Sequence, residues 1–255
     1  MAADTVDGLV EEIQRSLRWL SSAGWKGFDC SPETLARLEG WLRPPKTVIA
    51  GPTPSIDPPI DVKGQAASPA AAGESLARIR EDLGDCQRCK LWRQRRHIVF
   101  GQGDPRARLV FVGEGPGLDE DRQGVPFVGA AGQLLTKIIQ AMGLSRDGVY
   151  ICNIIKCRPP QNRTPEADEV AACLPFLERQ LAAIGPECIC ALGAVAARSL
   201  LETDLPISRL RGRFHSYQGV AVMPTFHPAY LLRNPAQKRA VWEDVQQIMA
   251  RLGIQ

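Results

Sequence analysis

Four short and almost wholly apolar segments recur between residues 107 and 226, and segments with helical spacing of apolar residues separate them. Strands that are apolar throughout are buried on both faces, which happens when helices cover both sides of a parallel sheet. The alternation predicts an α/β protein with three layers, α/β/α, around a central four-stranded, mainly parallel sheet. The predicted strands are residues 107–113, 149–155, 187–193 and 220–226, and the predicted helices are residues 74–86, 129–143, 165–185, 194–202 and 234–253.

Polar segments stand at the ends of three of these strands. They read GEGPG from Gly113, NIIKCRPPQNRTP from Asn153 and FHPAYLLRNP from Phe226. Ligands of open α/β sheets bind outside the carboxyl ends of the strands. We therefore expect a binding site where the three segments meet.

The glycine-rich segment after the first strand is also acidic. Glycines that follow a strand often form a phosphate site. Residues 113–129 (GEGPGLDEDRQGVPFVG), however, carry four carboxylates, those of Glu114, Asp119, Glu120 and Asp121. These would repel a phosphate, so the segment does not predict one, and its residues alone leave the ligand open.

Four of the eight cysteines are spaced as metal ligands. Cys86 and Cys89 form a C-x2-C pair, and Cys157 and Cys173 form a second pair, with 67 residues between the two pairs. Together they could give four-fold sulfur ligation of structural zinc or of an iron–sulfur cluster, and the spacing does not choose between the two. Chance or a redox pair is the alternative for C-x2-C. The cysteines inside predicted strands are expected to be buried thiols.

The first part of the chain differs in composition from the rest. Residues 1–43 predict a small helical N-terminal module, and residues 44–73, rich in Pro and Ala, predict a linker. Residues 74–255 are then the main domain. Residues 1–75 carry 7 Lys and Arg against 10 Asp and Glu, whereas residues 76–255 carry 24 against 18. A basic body is compatible with nucleic acid, and the segment KLWRQRRH (90–97) suits DNA phosphates or is simply a solvated loop.

Membrane and secretory classes are not indicated. No apolar run approaches the roughly 20 residues of a membrane helix, and the acidic N-terminus has no basic region like that of a signal peptide. A cytoplasmic protein that contacts no membrane is expected.

At this point the motifs resemble a known family. GEGPG with PFVGAAGQLL, NIIKCRPPQNRTP, HPAYLLR and the four spaced cysteines, in this order, resemble the family 4 uracil-DNA glycosylases, over about residues 74–253. The resemblance implies an enzyme that flips uracil out of single- or double-stranded DNA, hydrolyses its N-glycosidic bond and leaves an abasic site. It also implies a 4Fe–4S cluster on Cys86, Cys89, Cys157 and Cys173, and a monomer.

The resemblance further implies a uracil pocket. Its residues are Gly113, Glu114, Gly115, Glu120, Phe127, Asn153 and His227. Phe127 would stack on the base, the amide of Asn153 would pair with the uracil edge, and Glu120 would crowd the C5 side and exclude thymine. His227 is the expected catalytic donor at uracil O2, although a histidine that merely caps a loop is the alternative.

Two further sets of residues follow from the same resemblance. The most active branch of the superfamily has an aspartate where this chain has Gly115, so Glu114 is the remaining candidate to assist the attacking water. Tyr230, Leu231 and Leu232, on the loop after His227, are expected to wedge into the DNA, and Arg233 is expected to contact a phosphate.

Two other functions compete with a glycosylase. One is a protein that binds uracil-DNA without turnover, even covalently through a histidine in an extra basic loop, but CRPPQNRTP has neither the histidine nor the insertion. The other is a zinc-stabilised DNA-binding module. A repair or replication partner for the N-terminal module is a further hypothesis.

Overall fold

A computed structural model describes residues 73–254. The helical module predicted for residues 1–43, and all of the predicted linker except Gly73, lie outside this range. The described chain has eight α-helices and six strands. The helices are α1 (Leu76–Leu83), α2 (Leu118–Gln123), α3 (Ala130–Ala141), α4 (Ala167–Ile184), α5 (Ala194–Leu201), α6 (Ile207–Leu210), α7 (Pro228–Arg233) and α8 (Lys238–Leu252). The strands are β1 (Gln102–Gly103), β2 (Leu109–Gly113), β3 (Tyr150–Asn153), β4 (Cys188–Leu192), β5 (His215–Tyr217) and β6 (Val220–Thr225).

The strands form one mixed sheet in the order β1-β3-β2-β4-β6-β5. The four central strands, β3, β2, β4 and β6, are parallel and are the four that the apolar segments predict. The edge strands β1 and β5 are antiparallel additions, so the sheet has six strands instead of four. They escape prediction because each has only two or three residues, with mixed exposure and no apolar run.

Helices cover both faces of the sheet, as predicted. Alternate residues of β2 point to opposite sides, so Val110 and Val112 join one core while Leu109 and Phe111 join the other. The first core is closed by α4 and α5 and the second by α3 and α8. The strand cysteines Cys152, Cys188 and Cys190 are buried, as expected.

The chain order places the carboxyl ends of the central strands around β2. The chain passes from β2 to β3 on one side and then reaches β4 on the other side of β2. A ligand crevice is expected where the order reverses in this way. The residues that follow β2, β3 and β6 are therefore brought to the same edge of the sheet.

Helix α4 fixes the segment that follows β3. The buried carboxylate of Glu169 accepts a hydrogen bond from the backbone N–H of Glu166 (2.8 Å), which caps the first turn. It also accepts two hydrogen bonds from the Arg163 guanidinium, at 2.6 and 2.8 Å. The segment RPPQNR is therefore held between β3 and α4. Within residues 73–254, no helix is both long and apolar enough to cross a membrane.

Candidate active site

A pocket of about 540 Å³ opens at the carboxyl ends of β2 and β3. This volume lies within the range of small-molecule sites. Its walls come from the three polar segments singled out in the sequence and from the start of α3. The lining residues include Glu114, Gly115, Pro116, Gly117, Leu118, Asp119, Glu120, Phe127, Gly129, Asn153, Pro159, Asn162, Arg163, His227, Tyr230 and Arg233.

The glycines after β2 make room for the residues that define this pocket. A Cβ at Gly113 would lie 2.5 Å from Asn153 Oδ1 and 2.6 Å from Phe127 Cζ, and a Cβ at Gly115 would lie 2.7 Å from Ile155 Cγ1. Such distances are not tolerated by real side chains, so both positions require glycine. The glycine-rich segment serves close packing around the pocket, and no phosphate is needed to explain it.

Asn153, the last residue of β3, brings a buried amide to the pocket. Its side chain is 1% exposed, and Oδ1 has no hydrogen-bond partner in the described part of the chain. Two other buried side-chain atoms of residues 73–254, Gln180 Oε1 and Arg213 Nε, are also unpaired, but neither lines this pocket. A buried acceptor without a partner costs about 1–3 kcal/mol. A ligand that donates an N–H to this oxygen would remove that cost.

Phe127 is held in an unusual backbone conformation. Its φ is +52°, in the left-handed region that non-glycine residues rarely adopt. Gly132 permits it, because a Cβ there would lie 1.9 Å from the Phe127 carbonyl oxygen. On the preceding residue, the Arg146 guanidinium donates to the Pro126 carbonyl. Strain that surrounding contacts enforce in this way is typical of functional sites.

The Glu120 carboxylate ties two walls of the pocket together. It accepts hydrogen bonds from the backbone N–H groups of Val128 (2.9 Å), Gly129 (3.0 Å) and Gly117 (3.1 Å). Because charged acceptors make strong hydrogen bonds, Glu120 fixes the two residues that follow Phe127 and joins them to Gly117. This bracing function was not foreseen from the sequence, which predicts only that Glu120 crowds the ligand.

His227 begins a helix instead of lying on a loop. Residues 228–233 form α7, and His227 is its N-cap, with Nδ1 accepting the backbone N–H of Ala229 at 3.1 Å. The proton of the neutral imidazole must therefore be on Nε2. Burial, with a contribution from Arg233, lowers the pKa of His227 to about 4. Its ring lies 5.6 Å from the Phe127 ring between centroids. His227 therefore caps α7 and also lines the pocket.

The structure corrects one of the expected DNA contacts. Leu231 is 1% exposed and packs in the core beside α8, so it cannot wedge into DNA. Its neighbour Leu232 is 47% exposed and is the leucine that faces solvent. Tyr230 and Arg233 do line the pocket, and the Tyr230 ring packs on Phe226 at 5.1 Å.

Glu114 also lines the pocket. It is partly buried, and burial raises the pKa of its carboxyl group above the usual value. The group is therefore a better proton acceptor than an exposed carboxylate.

A buried polar network behind α7 was missed by the sequence analysis. Asp244 of α8 is fully buried, accepts the Thr225 hydroxyl at 2.6 Å and pairs with the Arg211 guanidinium at 2.8 and 3.0 Å. Arg211 also lies 5.3 Å from the Phe226 ring. Because Thr225 ends β6 two residues before His227, the network fixes the point where α7 begins. In the sequence, Asp244 is one of several charges on an amphipathic helix, so nothing marks it as buried.

The four spaced cysteines line one small cavity between α1, the end of β3 and α4. The backbone N–H of Lys156 donates to Cys173 Sγ (3.3 Å), and the Arg95 and Arg88 guanidinium groups donate to the sulfurs of Cys157 (3.5 Å) and Cys86 (3.4 Å). Burial raises the pKa of Cys157 to about 12, so cations and N–H donors are needed for a thiolate to form here. Within residues 73–254, no group of three or more His, Cys, Asp or Glu side chains is arranged to hold a metal ion.

Comparison with known proteins adds the following similarities. Residues 100–246 match the family model of the uracil DNA glycosylase superfamily. The chain is 44% identical over 184 residues to a type-4 uracil-DNA glycosylase of Sulfurisphaera tokodaii, which covers 69% of this chain and 84% of that protein. It is 45% identical over 177 residues to a type-4 uracil-DNA glycosylase of Thermotoga maritima, with coverage of 68% and 92%. To a type-5 uracil-DNA glycosylase of Pyrobaculum aerophilum the identity is 31% over 193 residues, with coverage of 69% and 84%.

Proposed function

The chain belongs to the uracil-DNA glycosylase superfamily, and on that basis we propose that it removes uracil from DNA by hydrolysing the N-glycosidic bond, leaving an abasic site. The expectation drawn from the motifs is thereby confirmed at the level of the family. The observation that carries the proposal is the unpaired, buried amide oxygen of Asn153 in a pocket that Phe127 and His227 also line.

Asn153 is assigned to read the base. Its Oδ1 would accept the N3–H of uracil and its amide N–H would donate to O4. Cytosine has an acceptor at N3 and an amino group at C4, so the same amide orientation would leave both pairs mismatched. This pairing would satisfy the acceptor that is otherwise buried without a partner.

Phe127 and Glu120 are assigned to shape the pocket around the flipped base. Stacking on an aromatic ring holds a base that has left the duplex. The Glu120 carboxylate, fixed by three backbone N–H groups, would stand rigidly at the C5 side of the ring. A rigid wall is needed if the methyl group of thymine is to be excluded.

His227 is assigned to stabilise the leaving group. When the bond between C1′ and N1 breaks, its electron pair stays on the base, and negative charge develops on O2. The neutral imidazole would donate its Nε2–H to O2, while Nδ1 is held by Ala229. Water adds to C1′ and loses a proton, which Glu114 would accept, because Glu114 lines the pocket and burial raises the pKa of its carboxyl group.

The four cysteines are assigned to a 4Fe–4S cluster. All four cysteines line one cavity, which suits either structural zinc or a cluster, and the resemblance to the family 4 enzymes is what favours the cluster. The donors from Arg88, Arg95 and the Lys156 backbone suit the anionic sulfurs of such a cluster. When bound, the cluster would supply a covalent link among α1, the end of β3 and α4. Its role would then be structural.

Replacement of Cys157 by Ser should therefore damage the fold as well as the activity. Cys157 lies four residues after Asn153. If Cys157 no longer bound the cluster, the end of β3 that carries the Asn153 amide would become less rigid. We expect iron content to fall by at least half and the thermal midpoint to drop, because loss of a structural metal removes folding free energy.

Cys152→Ala is the matched control for this variant. Cys152 is a fully buried β3 thiol that does not line the cysteine cavity, so its variant should keep full iron content. The iron and sulfide contents and the thermal midpoints of both variants and of wild type are measured. A Cys157→Ser protein with full iron and a wild-type midpoint would contradict the assignment, and stoichiometric zinc without iron would replace the cluster with a zinc site.

The test of the proposed function is a single-turnover assay on a labelled oligonucleotide that contains one uracil. We expect strand breakage only after hot alkali, which marks base release without lyase activity, and no breakage of the same oligonucleotide with thymine. An unbroken uracil strand, with the metal site loaded, would overturn the enzyme assignment in favour of a binding protein. The assignment of residues 1–43 as a partner-binding module on a linker remains a proposal beside it.

A further inference from the structure

A second cleft, of about 730 Å³, plays no part in the proposed reaction. Its walls are the end of α1 with the residues that follow, segment 95–102, and the loop at residues 123–126. It shares no lining residue with the uracil pocket. The two are nevertheless adjacent in the chain, because Pro126 lines the cleft and Phe127 lines the pocket.

The charge of this cleft is positive and only partly compensated. Asp85 is its one carboxylate, and that carboxylate already pairs with the Arg95 guanidinium. Arg80 and Arg96 are exposed, and neither forms an ion pair with any residue in the range 73–254. The Arg80 guanidinium is steadied by the Phe100 ring, 5.8 Å from its centroid.

The basic residues of the segment KLWRQRRH (90–97) have two kinds of environment in the structure, because some form ion pairs within residues 73–254 and others do not. Lys90 pairs with Glu166 and Asp168 at the start of α4, and the Arg95 side chain is 6% exposed. The Arg95 charge is therefore internal, whereas the Lys90 side chain is 42% exposed and its charge is balanced by carboxylates. Arg96 is the arginine of the segment that remains exposed in the cleft.

The cleft lies at the same edge of the sheet as the pocket. Gln102 pairs antiparallel with Ile151, so the residues before β1 run past the carboxyl end of β3. The backbone N–H of Val99 donates to the carbonyl of Lys156 at 2.8 Å, three residues beyond Asn153. The segment is also fixed to α2, since the Arg96 N–H donates to Asp121 Oδ1 and His97 Nδ1 meets the Asp121 carbonyl, both at 2.9 Å.

We propose that this cleft binds backbone phosphates of the DNA strand whose uracil enters the pocket, with Arg80 and Arg96 as the phosphate contacts. The inference rests on the proposed function. A flipped nucleotide needs its flanking backbone held, and phosphate contacts set the position of a protein on DNA without reading sequence. An open, cationic cleft beside the pocket, separated from it by the loop that carries Phe127, meets this need.

The experiment compares Arg80→Gln/Arg96→Gln with wild type in DNA binding at 50–200 mM KCl. The probe is a labelled duplex with 2′-fluoro-2′-deoxyuridine, whose glycosidic bond resists hydrolysis. The slope of log K against log salt is negative, and each lost phosphate contact reduces its magnitude by about 0.9. We expect the magnitude of the slope to decrease by about 1.8 and the affinity at 50 mM KCl to fall by at least tenfold. A merely structural defect would not change the slope.

The matched control is Arg106→Gln/Lys137→Gln, which removes the same charge from two exposed side chains outside both cavities. It should keep the wild-type slope to within about 0.5. A cleft variant with the wild-type slope, or with the same change as the control, would overturn the inference. Uracil release by wild type is measured in parallel, so failure of the proposed function shows there while the salt slope still decides the cleft.

Discussion

Replacement of His227 by alanine is expected to slow single-turnover uracil release by about 10²–10³-fold, the usual effect of removing one donor from a developing oxyanion. The reason is geometric, because the Ala229 N–H occupies Nδ1 and leaves Nε2–H directed away from the cap. His227→Gln keeps an amide donor of similar reach and should recover part of the rate. A His227→Ala enzyme with a rate within threefold of wild type but a lower thermal midpoint would leave His227 as a helix cap only.

The pH dependence of the same residue gives an independent check. Its folded-state pKa of about 4 lies below its ordinary value of 6.5. Between pH 6.5 and pH 4, His227 therefore binds a proton more readily in the unfolded chain than in the folded protein. The free energy of unfolding consequently decreases as the pH falls from 6.5 to 4. At pH 5, wild type should have lost about 2 kcal/mol of unfolding free energy relative to His227→Gln. Urea unfolding of both proteins at pH 7 and pH 5 measures this, and the excision rate should show no ionisation near pH 6.5.

The central strands and the helices that cover them were predictable because each corresponds to one continuous stretch of sequence with a recognisable pattern. Each parallel strand is buried on both faces and so reads as one apolar run, and the helices between them keep their spacing. Strand β5 and helix α7 have no such pattern. The three residues of β5 alternate in exposure, and HPAYLLR contains a proline that suits a loop as well as the first turn of a helix.

The candidate site divides in the same way. Asn153, Phe127 and His227 lie in motifs that could be recognised, and the structure lines one pocket with all three. The contacts that hold them in place come from distant parts of the chain. The Arg146 guanidinium donates a hydrogen bond to the Pro126 carbonyl, and the Thr225 hydroxyl donates one to the Asp244 carboxylate. A charged residue on an amphipathic helix looks solvated until the fold buries it. The sequence does not show which of Leu231 and Leu232 faces solvent. The orientation of α7 decides this, because it buries Leu231 and exposes Leu232.

Replacement of Asn153 by alanine is expected to reduce uracil release by at least 100-fold while leaving the protein as stable as wild type or up to about 1 kcal/mol more stable. The rate falls because two polar groups of the base would lose their partners in a buried site. Stability is kept because the variant deletes an acceptor that has no hydrogen-bond partner within residues 73–254. Groups retained for function at the expense of stability behave in this way.

Asn162→Ala provides the matched control, since Asn162 lines the same pocket but is exposed and is bonded through Oδ1 to Arg158 at 2.6 Å. Its rate should stay within tenfold of wild type. Single-turnover rates and urea unfolding of both variants separate the two hypotheses for Asn153. If the amide only supports the backbone, Asn153→Ala will lose stability and keep its rate. If it reads uracil, the rate will collapse at undiminished stability, because the unpaired oxygen at the end of β3 has its partner in the substrate.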